Sequence, residues 1–204
     1  VGTCLGLMVK NGVVTNPPLY GREALLVRKN GAVTVEQPDI RKTDIVINGV
    51  TYRHSRNAQI YTRPERIATP RSSGKQLVIV GTTVAAVAEQ GRTPIPASGF
   101  VLSIKGGKIV PGDLVTYHGL KDVQFGIQVG NSIIRKGVKT DKFISHFYNI
   151  KKLQRTPYPP SLYPMDFTGA RAARMAIGAD AEGKPVLFWA EGKGKLRYVP
   201  GEDS

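Results

Sequence analysis

The sequence predicts a β-rich α+β domain, with mixed or antiparallel sheets and a few short helices. Turn signals recur at short intervals between β-branched runs, a pattern typical of antiparallel β proteins. Alanine-containing stretches that lack turn residues favour helices, and these stretches are short. The 204 residues are enough for a hydrophobic core. Because no repeat or low-complexity linker divides them, residues 1–204 are interpreted as a single domain.

Three β-hairpins are predicted within the first fifty residues, and each has an Asn-Gly pair in its turn. Asparagine and glycine supply the positive φ angles that tight hairpins need. The turns are Lys10-Asn11-Gly12, Lys29-Asn30-Gly31 and Asn48-Gly49. The flanking strands are Leu5–Val9 with Val13–Val14, Ala24–Val27 with Val33–Val35, and Ile45–Ile47 with Val50–Tyr52.

The later elements follow the same reasoning. Further strands are predicted at Gln76–Val80, Gly99–Ile104, Asp113–Tyr117, Val123–Val129, Ser132–Arg135 and Pro185–Trp189. A short helix is predicted at Thr83–Glu89, and Arg171–Ala176 fits either a helix or an extended entry to a strand. Four prolines in Gln154–Gly169 exclude a regular helix or central strand. That stretch is either a self-packed surface loop or a rim over a pocket.

The charge is the clearest feature of the composition. There are 29 Lys and Arg against 15 Asp and Glu, a net charge of +14, which favours an anionic partner. The candidates are a phosphate-bearing substrate, an acidic surface and nucleic acid, although the charge also fits a role in solubility alone. Basic residues occur in ones and twos without a long basic tail, which disfavours nucleic acid. No apolar run reaches the roughly 18 residues of a membrane span.

The usual motifs of metal and cofactor chemistry are missing from the sequence. A single cysteine, Cys4, excludes an internal disulfide framework and a cysteine-based zinc cluster. The sequence has no P-loop, dinucleotide fingerprint or Gly-x-Ser-x-Gly elbow. His54, His118 and His146 are far apart and are interpreted as surface or capping residues. We therefore expect no metal and no cofactor, and spacing alone indicates only a basic β domain.

Several short motifs nevertheless follow one another in a distinctive order. They are Leu5 to Val9, Asn57-x-x-x-Tyr61-Thr62, Ile95 to Ser103, Phe125 to Gly137, Ala173 to Asp180 and Leu187 to Gly192. Their order resembles that of the phosphodiester glycosidase family, the N-acetylglucosamine-1-phosphodiester α-N-acetylglucosaminidase-like proteins, and extends along nearly the whole chain. In the lysosomal member this activity removes N-acetylglucosamine from mannose-6-phosphodiesters.

The resemblance implies a pocket for a phosphate group. Arg174 is the candidate catalytic residue, since its planar guanidinium can grip phosphate oxygens. Gly130, Asn131 and Ser132 are candidate substrate-binding residues in a turn whose backbone N–H groups face the anion. Lys193 is expected to supply a second positive charge. Without the resemblance, Arg174 would be interpreted as a surface cation beside a strand.

The sequence also departs from the family pattern. Ala173 precedes Arg174, and Met175 stands where the family has threonine. Glu191-Gly192-Lys193 replaces the family's Asp-Gly-Arg, and an Asn-Leu-Asp-Gly-Gly-Gly-Ser segment is absent. These changes predict an altered substrate or lost activity. They also predict an open apolar sheet face that a further C-terminal segment or a second polypeptide chain completes.

The leading hypothesis is a hydrolase-like subunit that cleaves the glycosidic C–O bond of a sugar linked through a phosphodiester. The first alternative is a non-catalytic domain that binds an anionic glycan. The second is a basic nucleic-acid-binding protein, which only the charge favours. Because family relatives are commonly exported, an extracytoplasmic location is expected.

Overall fold

The computed structural model describes residues 6–19, 23–63, 66–71, 73–120, 122–128, 134–135, 137–139 and 174–190. The strands are β1 (Met8–Lys10), β2 (Val13–Asn16), β3 (Ala24–Arg28), β4 (Val33–Glu36), β5 (Asp44–Ile47), β6 (Val50–Tyr52), β7 (Ala58–Thr62), β8 (Ser73–Val80), β9 (Thr83–Gln90), β10 (Gly99–Ile104), β11 (Val115–His118), β12 (Val123–Gln128), β13 (Ile134–Arg135), β14 (Val138–Lys139), β15 (Arg174–Ala179) and β16 (Pro185–Ala190). The predicted α+β class is wrong, because these ranges contain no α-helix and only one 3-10 turn, Ile40–Lys42.

The helix predicted at Thr83–Glu89 is a strand, β9. It pairs with β8, so that Val84 lies opposite Ile79 and Val87 opposite Leu77. Val84 and Ile79 are fully buried in this ladder. The helix preference of alanine amounts to less than about 1 kcal/mol per residue, and cross-strand packing of the valines outweighs it.

The other strand predictions are confirmed over the residues that the structure describes, with shifts of at most three residues at the described ends. Val129, Ser132 and Ile133, which end or begin two of the predicted strands, lie outside the described residues. The ambiguous stretch around Arg171–Ala176 enters β15 at Arg174. Its register with β16 is continuous over six residue pairs, from Arg174 opposite Ala190 to Ala179 opposite Pro185. The extended alternative is therefore correct for the part of the stretch that the structure describes.

The three Asn-Gly hairpins are confirmed. In the first, Asn11 and Gly12 have φ angles of 52° and 78°, and in the third, Asn48 and Gly49 have 52° and 76°. Two successive residues with positive φ fit the type I′ turn, whose twist matches that of the strands. In the middle hairpin only Gly31 has a positive φ, 84°. The Asn30 side chain there accepts a hydrogen bond from the Ala32 N–H at 3.1 Å.

The strands form sheets in which every described pairing is antiparallel. A five-stranded sheet has the order β2-β1-β12-β3-β4, a four-stranded sheet β7-β10-β8-β9, and a three-stranded sheet β11-β5-β6. Two further pairs are β13-β14 and β15-β16. The insertion of β12 between β1 and β3 ties residues 123–128 to the beginning of the chain.

One hydrophobic cluster joins the three larger sheets, with members from Leu7 to Val123. Phe100 and Tyr117 meet edge to face at its centre, with ring centroids 6.4 Å apart. The Tyr117 hydroxyl donates a hydrogen bond to the Gly81 carbonyl, and burial raises the pKa of this tyrosine. The part of the chain described contains no helix with the length and apolar character needed to cross a membrane.

Candidate functional site

Most of the expected phosphate pocket falls beyond the residues that the structure describes. Gly130, Asn131, Ser132 and Lys193 all lie outside the described ranges. For Arg174 the structure gives the backbone, which starts β15 opposite Ala190 of β16, whereas its side chain is outside the description. The convergence of these groups on one anion therefore stays a prediction.

The strand that leads into the expected turn is described in detail. Gln128 is the last residue of β12, two positions before Gly130, and only 8% of it is exposed. Its backbone N–H donates to the Leu7 carbonyl at 2.8 Å. Its side-chain Oε1 accepts the N–H groups of Leu7 at 2.9 Å and Leu19 at 3.0 Å. Three hydrogen bonds thus fix the C-terminal end of β12.

Glycine is required beside this glutamine. Gly6 has a φ of 133°, and a Cβ built on it would lie 2.5 Å from Oε1 of Gln128. The buried Asn16 side chain donates to the Gly6 carbonyl. The segment around Gly6, Asn16 and Gln128, which we call the polar anchor, therefore joins β1, β2 and β12 through side-chain contacts that exclude a larger residue at position 6.

Glu23 is a candidate that motif reasoning missed. It is 5% exposed and is the one buried acidic side chain among the described residues. It directly precedes Ala24, which lies opposite Gln128 in the pairing of β3 with β12. A buried carboxyl group is the type of residue that acts in acid–base catalysis when it lies in a site. Its sequence signal was an acidic residue immediately before the apolar run Ala24–Val27.

Several cations are already occupied by carboxylates. Arg53 donates from Nε and Nη2 to the two carboxylate oxygens of Asp44, at 2.7 and 2.8 Å. These hydrogen bonds, with the positive charges of Arg53 and nearby His118, hold the pKa of Asp44 below its usual value. Arg28 pairs with Glu36 on the neighbouring strand. These two arginines are thus paired with carboxylates of the chain itself.

The histidines that the structure describes do not form a metal site. His54 is exposed and accepts the N–H of Ile60, a residue of β7, on Nδ1 at 3.2 Å. His146 lies outside the described residues. Within the described ranges, no group of three or more His, Cys, Asp or Glu side chains is placed to hold a metal ion.

The hairpin of β15 and β16 has a strongly apolar face. Met175 lies opposite Trp189, and Ile177 lies opposite Leu187, so the four side chains share one face. Met175 is 74% exposed, Trp189 65%, Ile177 40% and Leu187 64%. At its tip, the Gly183 carbonyl accepts the Val33 N–H of β4 at 3.3 Å. The hairpin thus contacts the five-stranded sheet and leaves an apolar face open to water.

The fold and charge define a basic, antiparallel β protein, and comparison with known proteins adds little to that class. No protein-family model matches the chain, and no curated protein gives a significant match. Among solved structures, it is similar to the crystal structure of a hypothetical protein from Synechocystis, with 19% identity and a TM-score of 0.39. The match covers 90% of this chain and 36% of that chain's length. A likeness this weak carries no argument about fold or function.

Proposed function

We propose that this protein is a hydrolase-like subunit that cleaves the glycosidic C–O bond of a sugar linked through a phosphodiester. Colinear motifs along nearly the whole sequence and a net charge of +14 support the proposal. The strand boundaries are compatible with it, since β12 ends two residues before Gly130 and β15 begins at Arg174. Loops that leave a rigid sheet are the usual carriers of binding residues.

In this proposal an arginine guanidinium and a set of backbone amides hold the phosphate. Arg174 donates two parallel hydrogen bonds to phosphate oxygens, and the N–H groups of Gly130, Asn131 and Ser132 meet the same anion. Lys193 adds a point charge. When the bond between the anomeric carbon and the phosphate oxygen breaks, the electron pair stays on that oxygen. These groups then stabilise the added negative charge.

Glu23 completes the proposed chemistry as the base. Water adds to the anomeric carbon, one of its protons passes to the Glu23 carboxylate, and the products are a free sugar and a phosphomonoester. The observation that carries the proposal is the polar anchor. Three hydrogen bonds hold Gln128 at the end of β12, two residues before Gly130, and this fixed strand end supports a binding site formed by the residues that follow.

A second polypeptide chain is part of the same proposal. The open face of Met175, Ile177, Leu187 and Trp189 is an apolar cluster of the kind that marks interaction surfaces. An isolated two-stranded hairpin is only marginally stable in water, so covering this face would also stabilise it. We propose that a second chain covers the face and completes the domain.

The test is hydrolysis of a sugar-1-phosphodiester. The wild-type protein is expected to release the sugar, and Arg174→Ala is expected to lower kcat/KM by about 100- to 1000-fold, because a charged donor to the leaving group is lost. Arg174→Lys retains the positive charge but lacks the planar guanidinium, so its kcat/KM should lie between those of the wild type and Arg174→Ala. Lys108→Ala removes an exposed cation from another loop and serves as the matched control.

Two results would contradict the enzyme hypothesis. Turnover that is equal in Arg174→Ala and Lys108→Ala would show that the expected pocket is not the site. Tight binding of an anionic glycan by the wild-type protein without any release of sugar would favour the non-catalytic binding domain.

A further inference from the structure

The five-stranded sheet has a second apolar face, on the side away from the core. Directly opposed residues of an antiparallel pair lie on one face, and two rows of them cross this sheet. The first row consists of Met8, Ile127, Leu25 and Val35 on β1, β12, β3 and β4. The second row consists of Phe125, Val27 and Val33 on β12, β3 and β4. Every side chain in both rows is apolar. We call these two rows, with Val13 of the edge strand β2, the outer face.

The outer face is distinct from the side that packs into the hydrophobic cluster. The residues that alternate with it, such as Val9 and Leu26, belong to that cluster, whereas the buried Leu25 and Val33 do not. Five of its side chains are between 37% and 61% exposed, namely Met8, Val13, Val35, Phe125 and Ile127. An antiparallel sheet with one face on the core ordinarily has polar residues on the other. An open apolar face of this kind marks an interaction surface.

The sizes of the two open apolar surfaces indicate what a partner must cover. From the exposed fractions of their side chains, the outer face and the hairpin face of Met175, Ile177, Leu187 and Trp189 each offer about 500 Å². A stable interface buries about 800 Å² on each partner, so neither surface is large enough by itself. Together they offer about 1,000 Å², which meets that requirement. A stable complex therefore needs a partner that covers both surfaces.

We propose that this partner is a second copy of the chain, with the hairpin face of each copy packed on the outer face of the other. In such a twofold dimer each contact forms twice, and both surfaces of both copies are covered. Within one chain the contact is not made, because the hairpin tip is tied to β4 through Gly183 and Val33 while both surfaces remain open. The inference rests on the proposed function for the need of a second chain and identifies that chain; no step of hydrolysis enters it.

Charge distinguishes this partner from an acidic one. Among the outer-face positions of the described strands, only Lys10 is charged, so the contact itself is almost free of like charges. The net charge of +14 on each copy nevertheless repels the other copy at long range. Salt screens this repulsion, so the dimer becomes tighter as the KCl concentration rises. A complex with an acidic partner would become weaker.

The experiment is sedimentation velocity of the full chain over a series of protein concentrations, at low and at high KCl concentration. We expect a monomer–dimer equilibrium that shifts toward the dimer at high KCl. Ile127→Lys on the outer face and Trp189→Lys on the hairpin are each expected to weaken the dimer about tenfold or more. Val50→Lys adds the same charge at an exposed valine of β6, outside both surfaces, and should dimerise as the wild type does.

A mixture of the two lysine variants tests the reciprocal contact and guards against a folding defect in either variant. In the mixed dimer, the intact hairpin of the Ile127→Lys copy meets the intact outer face of the Trp189→Lys copy. The mixture should therefore form more dimer than either variant alone at the same total concentration. A mixture that dimerises no better than its components would contradict the packing of the hairpin on the outer face.

Three other results would overturn the proposal. They are a monomer at every concentration, a dimer that KCl weakens, and equal dimerisation of Ile127→Lys, Trp189→Lys and Val50→Lys. None of them changes the outcome expected for hydrolysis by the wild-type protein and Arg174→Ala. Conversely, a dimer without hydrolysis would contradict only the enzyme hypothesis, so the two failures are distinguishable.

Discussion

Replacement of Gly99 by alanine is expected to destabilise the protein by about 3 kcal/mol, because a methyl group cannot fit there. A Cβ at this position would lie 2.0 Å from the carbonyl oxygen of Ile79 and 3.0 Å from its carbonyl carbon. Both strands belong to the middle of the four-stranded sheet, and Ile79 is fully buried. The overlapping atoms belong to the backbone of a hydrogen-bonded strand, so no side-chain rotation relieves the overlap.

Urea denaturation followed by circular dichroism measures the change. Gly106→Ala is the matched control, since no atom lies within 4 Å of the position that its Cβ would take. That variant should unfold within about 0.5 kcal/mol of the wild type. Equal midpoints for the two alanine variants would contradict the packing of β10 against β8.

Replacement of Gln128 by methionine is expected to destabilise the protein by a similar amount, about 3 kcal/mol. The change keeps the length of the side chain but removes the oxygen that accepts from Leu7 and Leu19. Each buried N–H left without an acceptor costs about 1–3 kcal/mol. The loss should also make the end of β12 more mobile. If the protein is a hydrolase, Gln128→Met should therefore lower kcat/KM by more than the smaller folded fraction explains.

Gln124→Met is the control for this experiment, because Gln124 lies on the same strand and its side chain is only half-buried. Its free energy of unfolding should change by less than about 0.5 kcal/mol. If Gln128→Met were as stable as Gln124→Met, the polar anchor would not hold the end of β12.

Local chemistry explains which parts of the fold the sequence could predict. The hairpins at Asn11-Gly12 and Asn48-Gly49 follow from residues that occupy positive φ at little cost, and this information lies within the turn itself. The sequence did not predict strand β9, because its extended conformation depends on pairing with β8. The intrinsic helix preference of its residues contains no information about that pairing. The α+β prediction failed for the same reason.

The site was harder to predict, because its supporting contacts span long stretches of sequence. Gln128 bonds to Leu7 across 121 positions and to Leu19 across 109, so no local pattern marks it as an anchor. The burial of Glu23 likewise has no local pattern that marks it. By contrast, the start of β15 at Arg174 agrees with an extended interpretation of that segment.

The basic residues illustrate a further limit of sequence reasoning. The density of basic residues from Arg53 to Arg71 is visible in the sequence, but their roles differ. Arg53 is held by both carboxylate oxygens of Asp44, whereas Arg63 donates from Nε to the backbone carbonyl of Ile95. Only the three-dimensional arrangement shows which group each arginine contacts.

The central claim is that Arg174 and the turn after β12 hold one phosphate group. Its most direct measurement is the change in amide and arginine side-chain NMR shifts when a sugar-1-phosphodiester is titrated into the ¹⁵N-labelled protein. The account predicts saturable shifts at the Gly130 and Asn131 amides and at Nε of Arg174, all with one dissociation constant. Shifts confined to other residues, or unequal dissociation constants for Arg174 and the turn, would contradict it.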